Sequence, residues 1–203
     1  MITIYHSPMT RSCRILWLAE ELGLDYELVS FELFSEKMTA PEFMAIHPMG
    51  KVPAIIDGDF VLWETIAIIE YLVARYSTGA LLPPRDTKPG ATAIQWREFG
   101  ENQLTVLASE IVVHDGILPA ERTIPALVER GRDELPKIIG IIERALNRQP
   151  YIAGEHFTAA DIVIGFALPI AMHAGFLGSD TPSCIAYHER LSARPAYQKA
   201  MAL

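Results

Sequence analysis

Long apolar runs are missing from this 203-residue chain, although half of its residues are apolar. No segment approaches the roughly 20 consecutive apolar residues that a membrane-spanning helix requires, so the sequence predicts a soluble protein with no membrane partner. Cysteine is scarce: Cys13 and Cys184 stand far apart. They form no CxxC pair and no metal-ligand cluster, which argues against a disulfide framework and a bound metal. That usage fits a reducing, cytoplasmic location. Positive charge is scarce too, with 17 Lys and Arg against 25 Asp and Glu and a formal net charge of -8. The basic residues are scattered, so a phosphate backbone would be repelled and nucleic acid is not expected as a partner. The opening residues, Met1 to His6, lack the basic start and long apolar core of a secretory leader. Internal repeats and low-complexity tracts are also absent.

The patterns that are present divide the chain in two. Residues 2–6 are β-rich and end at Ser7-Pro8, which predicts a strand and a turn. Ile15, Leu16, Ala19 and Leu22 follow helical spacing over 13–22, and Gly23 stops that helix. Residues 26–31 read as a second strand, and 35–46 as a loop with a short helix beginning near Pro41. Residues 54–57 and 60–63 flank Gly58-Asp59 as an antiparallel hairpin. A helix is expected over 65–76, with Ile66, Ile69, Leu72 and Val73 on one face. This order builds a mixed sheet with helices packed on it, its first two strands parallel through a right-handed crossover. Residues 77–90 hold Pro83, Pro84 and Pro89 with little apolar periodicity, the signature of a linker. Only helical patterns follow, over 91–108, 125–148, 159–175, 183–192 and 195–202, with bends expected at Pro136, Gly140 and Pro169. The expected organisation is an α/β domain over 1–78, a linker over 79–90 and an all-helical domain over 91–203.

Two segments of the first domain carry ligand-binding chemistry. Pro53 precedes a strand that reads as central, and proline belongs there at the first residue because it cannot donate to the ladder. With a cis Val52–Pro53 bond, the Val52 backbone N–H and C=O would turn outward and pair with an extended peptide. An ordinary loop proline is the alternative. Glu64-Thr65 follows a strand and opens a helix, whose unpaired N–H groups and partial positive charge suit a ligand carboxylate. The Thr65 hydroxyl adds a donor, and Glu64 can accept from a ligand ammonium group. Simple capping by either residue is the alternative. One hairpin joins the two segments and brings them to the same edge of the sheet. In the second domain, Thr158-Ala159-Ala160-Asp161 is a capping box, with Phe157 and Ile162 as a hydrophobic staple, and its role is structural.

At these residues the chain resembles the cytosolic glutathione transferases. His47-Pro48-Met49-Gly50-Lys51-Val52-Pro53-Ala54-Ile55 is similar to the family's N-P-x-G-x-V-P-A-L segment, and Glu64-Thr65-Ile66-Ala67-Ile68-Ile69-Glu70-Tyr71-Leu72 to its E-S-x-A-I-x-x-Y-L segment. Tyr151 to Ile162 resembles Y-L-A-G-x-x-F-T-x-A-D-I, and Arg194-Pro195-Ala196 matches a common R-P-A near the C-terminus. The resemblance covers essentially the whole chain. It implies an α+β thioredoxin-like N-terminal domain followed by an all-α C-terminal helical domain. It also implies a cis Val52–Pro53 bond, pairing of the Val52 backbone with the cysteinyl unit of glutathione, and binding of the γ-glutamyl end by Glu64 and Thr65. Lys51 belongs to the same glutathione-binding set. Thr65 departs from the usual Ser but keeps the hydroxyl, and His47 departs from the usual Asn.

Glutathione's thiol, like a free cysteine, is mostly protonated near neutrality, so a transferase must stabilise the thiolate. Candidates lie between the first strand and first helix. The run Thr10-Arg11-Ser12-x-Arg14-Ile15-Leu16-Trp17-Leu18 resembles the S-R-S-x-R-x-L-W-L pattern of some fungal and bacterial members, which places the activating hydroxyl on Thr10, then Ser12. Helix capping by either is the alternative, and Cys13, in the first helical turn, is a rival thiol. Arg11 is a candidate for a ligand carboxylate or a partner subunit. Phe99, Gln103 and Leu107 are expected on the side of a small hydrophobic electrophile, between the domains. The family implies a homodimer with glutathione as co-substrate and no metal. The leading expectation is conjugation of glutathione to an electrophile, a detoxification chemistry. The alternatives are glutathione-dependent peroxide or disulfide reduction, and a non-catalytic glutathione-binding protein.

Overall fold

The computed structural model describes every residue except Thr78 and Ala80. The expected boundary at 78 therefore lies outside the described residues. Two compact units are present: Met1–Leu81 together with Ala193–Leu203, and Leu82–Ser192.

The first unit begins with β1 (Ile2–His6), α1 (Ser12–Leu22) and β2 (Tyr26–Ser30). A 3-10 turn at Glu36–Met38 and the one-turn helix α2 (Pro41–Met44) follow, then β3 (Ala54–Asp57), β4 (Phe60–Trp63) and α3 (Thr65–Tyr76). The sheet order is β2-β1-β3-β4, with β1 and β2 parallel and β3 antiparallel to both β1 and β4. This is the mixed sheet that the βαβ-hairpin order predicts, in the thioredoxin-like form that the resemblance implies. Ile2, Ile4 and His6 of β1 are buried while Thr3 and Tyr5 are half-buried, the period-2 alternation of a strand. Gly23 ends α1 in the left-handed conformation (φ 63°), its N–H returning to Ala19 and Glu20. Gly58 sits at φ 67° as the first of two turn residues between Asp57 and Phe60, where a tight hairpin requires glycine. On α3 the buried positions are Thr65, Ile68, Ile69, Leu72 and Val73. Ile68 therefore takes the core place expected of Ile66, which is half-buried.

The last helix, α9 (Pro195–Met201), was expected at the end of the helical domain but belongs to the first unit. It packs on α1: the Arg194 guanidinium donates to both carboxylate oxygens of Glu21 at 2.6 and 2.7 Å. The Tyr197 ring meets Trp17 edge-on at 4.8 Å. Trp17 is completely buried. The 173-residue separation of Glu21 and Arg194 hides this pairing from any local pattern.

The second unit is helical. It contains α4 (Lys88–Phe99), a π-helical turn at Gly100–Thr105, α5 (Val106–Val112), a second π turn at Val113–Ile117, a 3-10 turn at Ala120–Arg122, α6 (Pro125–Leu146), α7 (Ala159–His173) and α8 (Pro182–Ser192). Helix α4 starts within the stretch expected to be linker, because proline is accepted in a first helical turn and Thr87 caps it by accepting from the Gly90 N–H. The capping box at Thr158 and Asp161 is present in full. The Asp161 carboxylate also accepts from the Ile152 N–H at 2.8 Å and the Tyr187 hydroxyl at 2.7 Å. Glu143 of α6 accepts from the N–H groups of Ser183 and Cys184 at 3.0 and 2.8 Å, so it caps α8 from another helix. Burial works to raise the Glu143 carboxyl, but these N–H groups hold it below its ordinary value.

Candidate active site

Strand register assembles the site. Tyr5 pairs with Ala54, and Ala54 pairs with Trp63. The chain leaving β1 towards Thr10, the chain entering β3 through Val52-Pro53 and the chain leaving β4 into Glu64-Thr65 therefore meet at one end of the sheet. The hairpin places its two segments together, as its sequence predicts.

The Val52–Pro53 peptide bond is cis. Pro53 is buried and Val52 half-buried, while Lys51 is exposed. The β3 ladder begins only at Ala54, so Val52 stands ahead of it. The preceding Gly50 has φ 58°, and a Cβ there would lie 2.3 Å from the Met38 carbonyl oxygen. Only glycine lets the loop pass so close to that backbone. Across the hairpin, Glu64 is exposed and has φ 75°, outside the regions an L residue prefers. Thr65 is buried and opens α3, whose first backbone bond to the helix entry runs from the Ile68 N–H to the Glu64 carbonyl at 3.0 Å. The N–H groups of Thr65 to Ala67 precede that bond, as the helix start requires.

At the end of β1 the three residues considered for activating the thiol, Thr10, Ser12 and Cys13, differ in burial. Ser12 is fully buried. Its hydroxyl lies 2.8 Å from His6 Nδ1 and 2.6 Å from the Thr10 hydroxyl, accepts from the Ser7 N–H at 3.1 Å and lies 3.1 Å from the Ser7 carbonyl. Cys13 is also buried, and burial pushes its thiol up, which removes the feature that makes a cysteine reactive. Thr10 is half-buried, the least covered of the three, and its hydroxyl donates to the Ser7 carbonyl at 2.7 Å. Ser12 has no exposed surface, and its hydroxyl meets that of Thr10 at 2.6 Å. Tyr5 is held in an aromatic cluster, 5.4 Å from Phe43 and 6.2 Å from Phe31 between ring centres.

His6, which no motif in the sequence marks, lies on the same face of β1 as Ile2 and Ile4, and that period-2 pattern alone is enough to bury a histidine just before the Ser7-Pro8 turn. Burial lowers its pKa to about 4, which keeps the ring neutral at physiological pH. In the second unit, Phe99 ends α4, Gln103 lies exposed in the first π turn and Leu107 is buried in α5. Among the described residues there is no group of acidic, His and Cys side chains able to hold a metal ion, and no helix long and apolar enough to cross a membrane.

Comparison with known proteins gives the same relationship from both ends of the chain. The description "Glutathione S-transferase, N-terminal domain" matches residues 1–74, and "Glutathione S-transferase, C-terminal domain" matches 125–190. Glutathione S-transferase 3 of Zea mays is 32% identical over 99% of this chain and 93% of its own length. The disulfide-bond oxidoreductase YfcG of Escherichia coli is 28% identical over 99% of this chain and 94% of its own. Among solved structures, the glutathione transferase URE2P8 of Phanerochaete chrysosporium, with oxidized glutathione, superposes with a TM-score of 0.87 at 26% identity, covering 99% of this chain and 93% of that one.

Proposed function

This chain belongs to the glutathione S-transferase family, and from that premise we propose that it conjugates glutathione to a small hydrophobic electrophile, with Thr10 as the hydroxyl that stabilises the thiolate. One observation carries the assignment of Thr10: of Thr10, Ser12 and Cys13, only Thr10 is not buried. In this reading the Val52 backbone pairs with the cysteinyl unit of glutathione, with Lys51 and Pro53 shaping the loop. The Thr65 hydroxyl and the start of α3 receive the γ-glutamyl carboxylate, and Glu64 accepts from its ammonium group.

The chemistry follows from thiol acidity. A free thiol has a pKa near 8.5, and lowering it by about 2 units requires about 2.7 kcal/mol of preferential thiolate stabilisation. A hydroxyl donor and the N-terminus of α1 act together on the sulfur. The thiolate attacks the electrophilic carbon, a C–S bond forms, and the leaving group departs with its electron pair. Binding both reactants turns a bimolecular encounter into an intramolecular one. Phe99, Gln103 and Leu107 are assigned to the electrophile's side, and a cytoplasmic homodimer completes the proposal, with glutathione bound by the unit Met1–Leu81 and Ala193–Leu203 and the electrophile's side in the helical unit Leu82–Ser192.

A second reading, glutathione-dependent disulfide reduction, is favoured by the 28% identity to a disulfide-bond oxidoreductase. It uses the same thiolate: two glutathione molecules supply two electrons, the substrate disulfide leaves as two thiols, and glutathione disulfide forms. The ultraviolet absorbance of bound glutathione against pH tests the site, with a thiol pKa well below that of free glutathione expected in the native protein and a higher one in Thr10→Ala. An ordinary pKa in the native complex would overturn both enzyme readings. Turnover of an aryl halide against turnover of a mixed disulfide then decides between them.

A further inference from the structure

The hydrogen bonds behind Thr10 have a direction. Ser12 Oγ has two lone pairs and one proton. Its neighbours are His6 Nδ1 at 2.8 Å, the Ser7 N–H at 3.1 Å, the Thr10 hydroxyl at 2.6 Å and the Ser7 carbonyl at 3.1 Å. The Ser7 N–H can only donate, so it fills one lone pair. The second depends on the tautomer of His6. His6 Nε2 is buried with no hydrogen-bonding partner among the described residues. Orphaned buried N–H groups are rarer than orphaned acceptors, so the neutral ring carries its proton on Nδ1 and leaves a bare lone pair on Nε2. His6 Nδ1–H then donates to Ser12 Oγ and fills its second lone pair.

The shortest contact in the network is thereby decided. Ser12 Oγ has no lone pair left for Thr10, and its one proton has two acceptors within reach, Thr10 Oγ1 at 2.6 Å and the Ser7 carbonyl at 3.1 Å. The nearer one, Thr10 Oγ1, takes it, while the Ser7 carbonyl takes the Thr10 proton at 2.7 Å. The Ser12 backbone N–H also approaches Thr10 Oγ1, at 3.3 Å. Thr10 thus accepts twice from behind and keeps its own proton for a group in front, which in the free protein is the Ser7 carbonyl at 2.7 Å. A hydroxyl that is already accepting is a stronger donor.

We propose that His6 and Ser12 are positioning residues for Thr10, forming a one-way chain from His6 Nδ1–H to Ser12 to Thr10 that turns the Thr10 proton towards the bound thiolate. The inference rests on the proposed role of Thr10. No bond is broken along the chain. Without the His6 donor, Ser12 regains a lone pair, Thr10 can donate into it, and the thiolate loses its partner.

The test uses the full chain with glutathione bound, read by thiolate absorbance against pH and by calorimetric affinity. His6→Leu removes the donor, whereas His6→Asn keeps a side-chain N–H near the place of Nδ1–H. In His6→Leu the thiol pKa is expected to rise by about one unit, leaving about tenfold less thiolate below that pKa, with glutathione affinity changed less than twofold. His6→Asn should restore most of that shift. Equal shifts in the two variants would assign His6 to packing alone and overturn the proposal, as would no shift in His6→Leu. If His6→Leu fails to fold, Ser12→Ala takes its place: a rise of similar size supports the chain and an unchanged pKa overturns it. The native protein and Thr10→Ala keep the two ideas apart. An ordinary thiol pKa in the native complex, or none of the expected rise in Thr10→Ala, defeats the reading of Thr10 and the chain with it. A lowered native pKa that rises in Thr10→Ala but not in His6→Leu defeats the chain alone.

Discussion

Tyr5 and Ala54 face each other across the β1–β3 ladder, and this pairing sets the Thr10 segment beside the Val52-Pro53 loop. Because β3 runs antiparallel to β1, the end of one strand and the start of the other coincide. Cross-strand pairing of Ala54 with Trp63 adds Glu64 and Thr65 to the same end. Three short segments with no local resemblance to one another become one site through register alone.

The start of α3 is expected to govern ligand affinity rather than chemistry. Replacing Thr65 with Val removes the hydroxyl at nearly constant volume. The KM for glutathione should rise by about five- to tenfold, the loss of one charge-assisted hydrogen bond of about 1–1.5 kcal/mol, with kcat nearly unchanged. Replacing Thr65 with Ser should leave both within about twofold of the native values. Steady-state kinetics at varied glutathione checks the split; a fall in kcat alone would place Thr65 in the chemical step.

Gly50 is expected to be intolerant of any side chain. An added Cβ would meet the Met38 carbonyl oxygen at 2.3 Å, and the residue already has φ 58°. Gly50→Ala should lose about 2–4 kcal/mol of stability and weaken glutathione binding through displacement of the Val52 backbone. Urea denaturation and calorimetric titration measure the two effects. Gly58→Ala, with open space around its Cβ, should lose less and leave binding intact.

Stability should fall as the solution is acidified through the range set by His6. The ring titrates at about 4 in the folded chain, below its ordinary value of 6.5. Between those values the unfolded chain binds the extra proton, so stability rises with pH there and is fully present above 6.5. On the order of 3 kcal/mol is lost on descending from pH 6.5 to pH 4. Burial lowers His47 and His188 too, and they add to the same slope. Denaturation of the native protein and His6→Asn across pH 4–7 isolates the His6 share, which should vanish in the variant.

Asp161 should be among the costliest side chains to remove from the second unit. Asp161→Ala leaves the Ile152 N–H, the Thr158 N–H and the Tyr187 hydroxyl without their acceptor. A loss of about 3–5 kcal/mol is expected from stranding these donors. Thr158→Ala, which removes only the cap hydroxyl, should lose about 0.5–2 kcal/mol. Equal losses in the two variants would mean that the cap, and not the wider network, sets the stability of this region.

Elements built from neighbours in the chain were legible in the sequence. The capping box joins residues three apart, the hairpin turns on Gly58, and Gly23 ends α1, so each is fixed by local propensity and backbone sterics. The four-stranded sheet and the succession of helices followed from hydrophobic periodicity, which reports which face of an element is buried without naming what covers it. The tertiary structure decided the partners. Glu143 caps α8 from 40 residues away, and Arg194 ties α9 to Glu21 from 173 residues away. It also decided which hydroxyl keeps some solvent access: Thr10 and Ser12 are two residues apart and chemically alike, but Ser12 is turned inward beside His6 and fully buried, whereas Thr10 is half-buried. Propensity acts over a few bonds, whereas solvent access and charge pairing depend on what the fold brings near, and the chemistry of this site depends on the second.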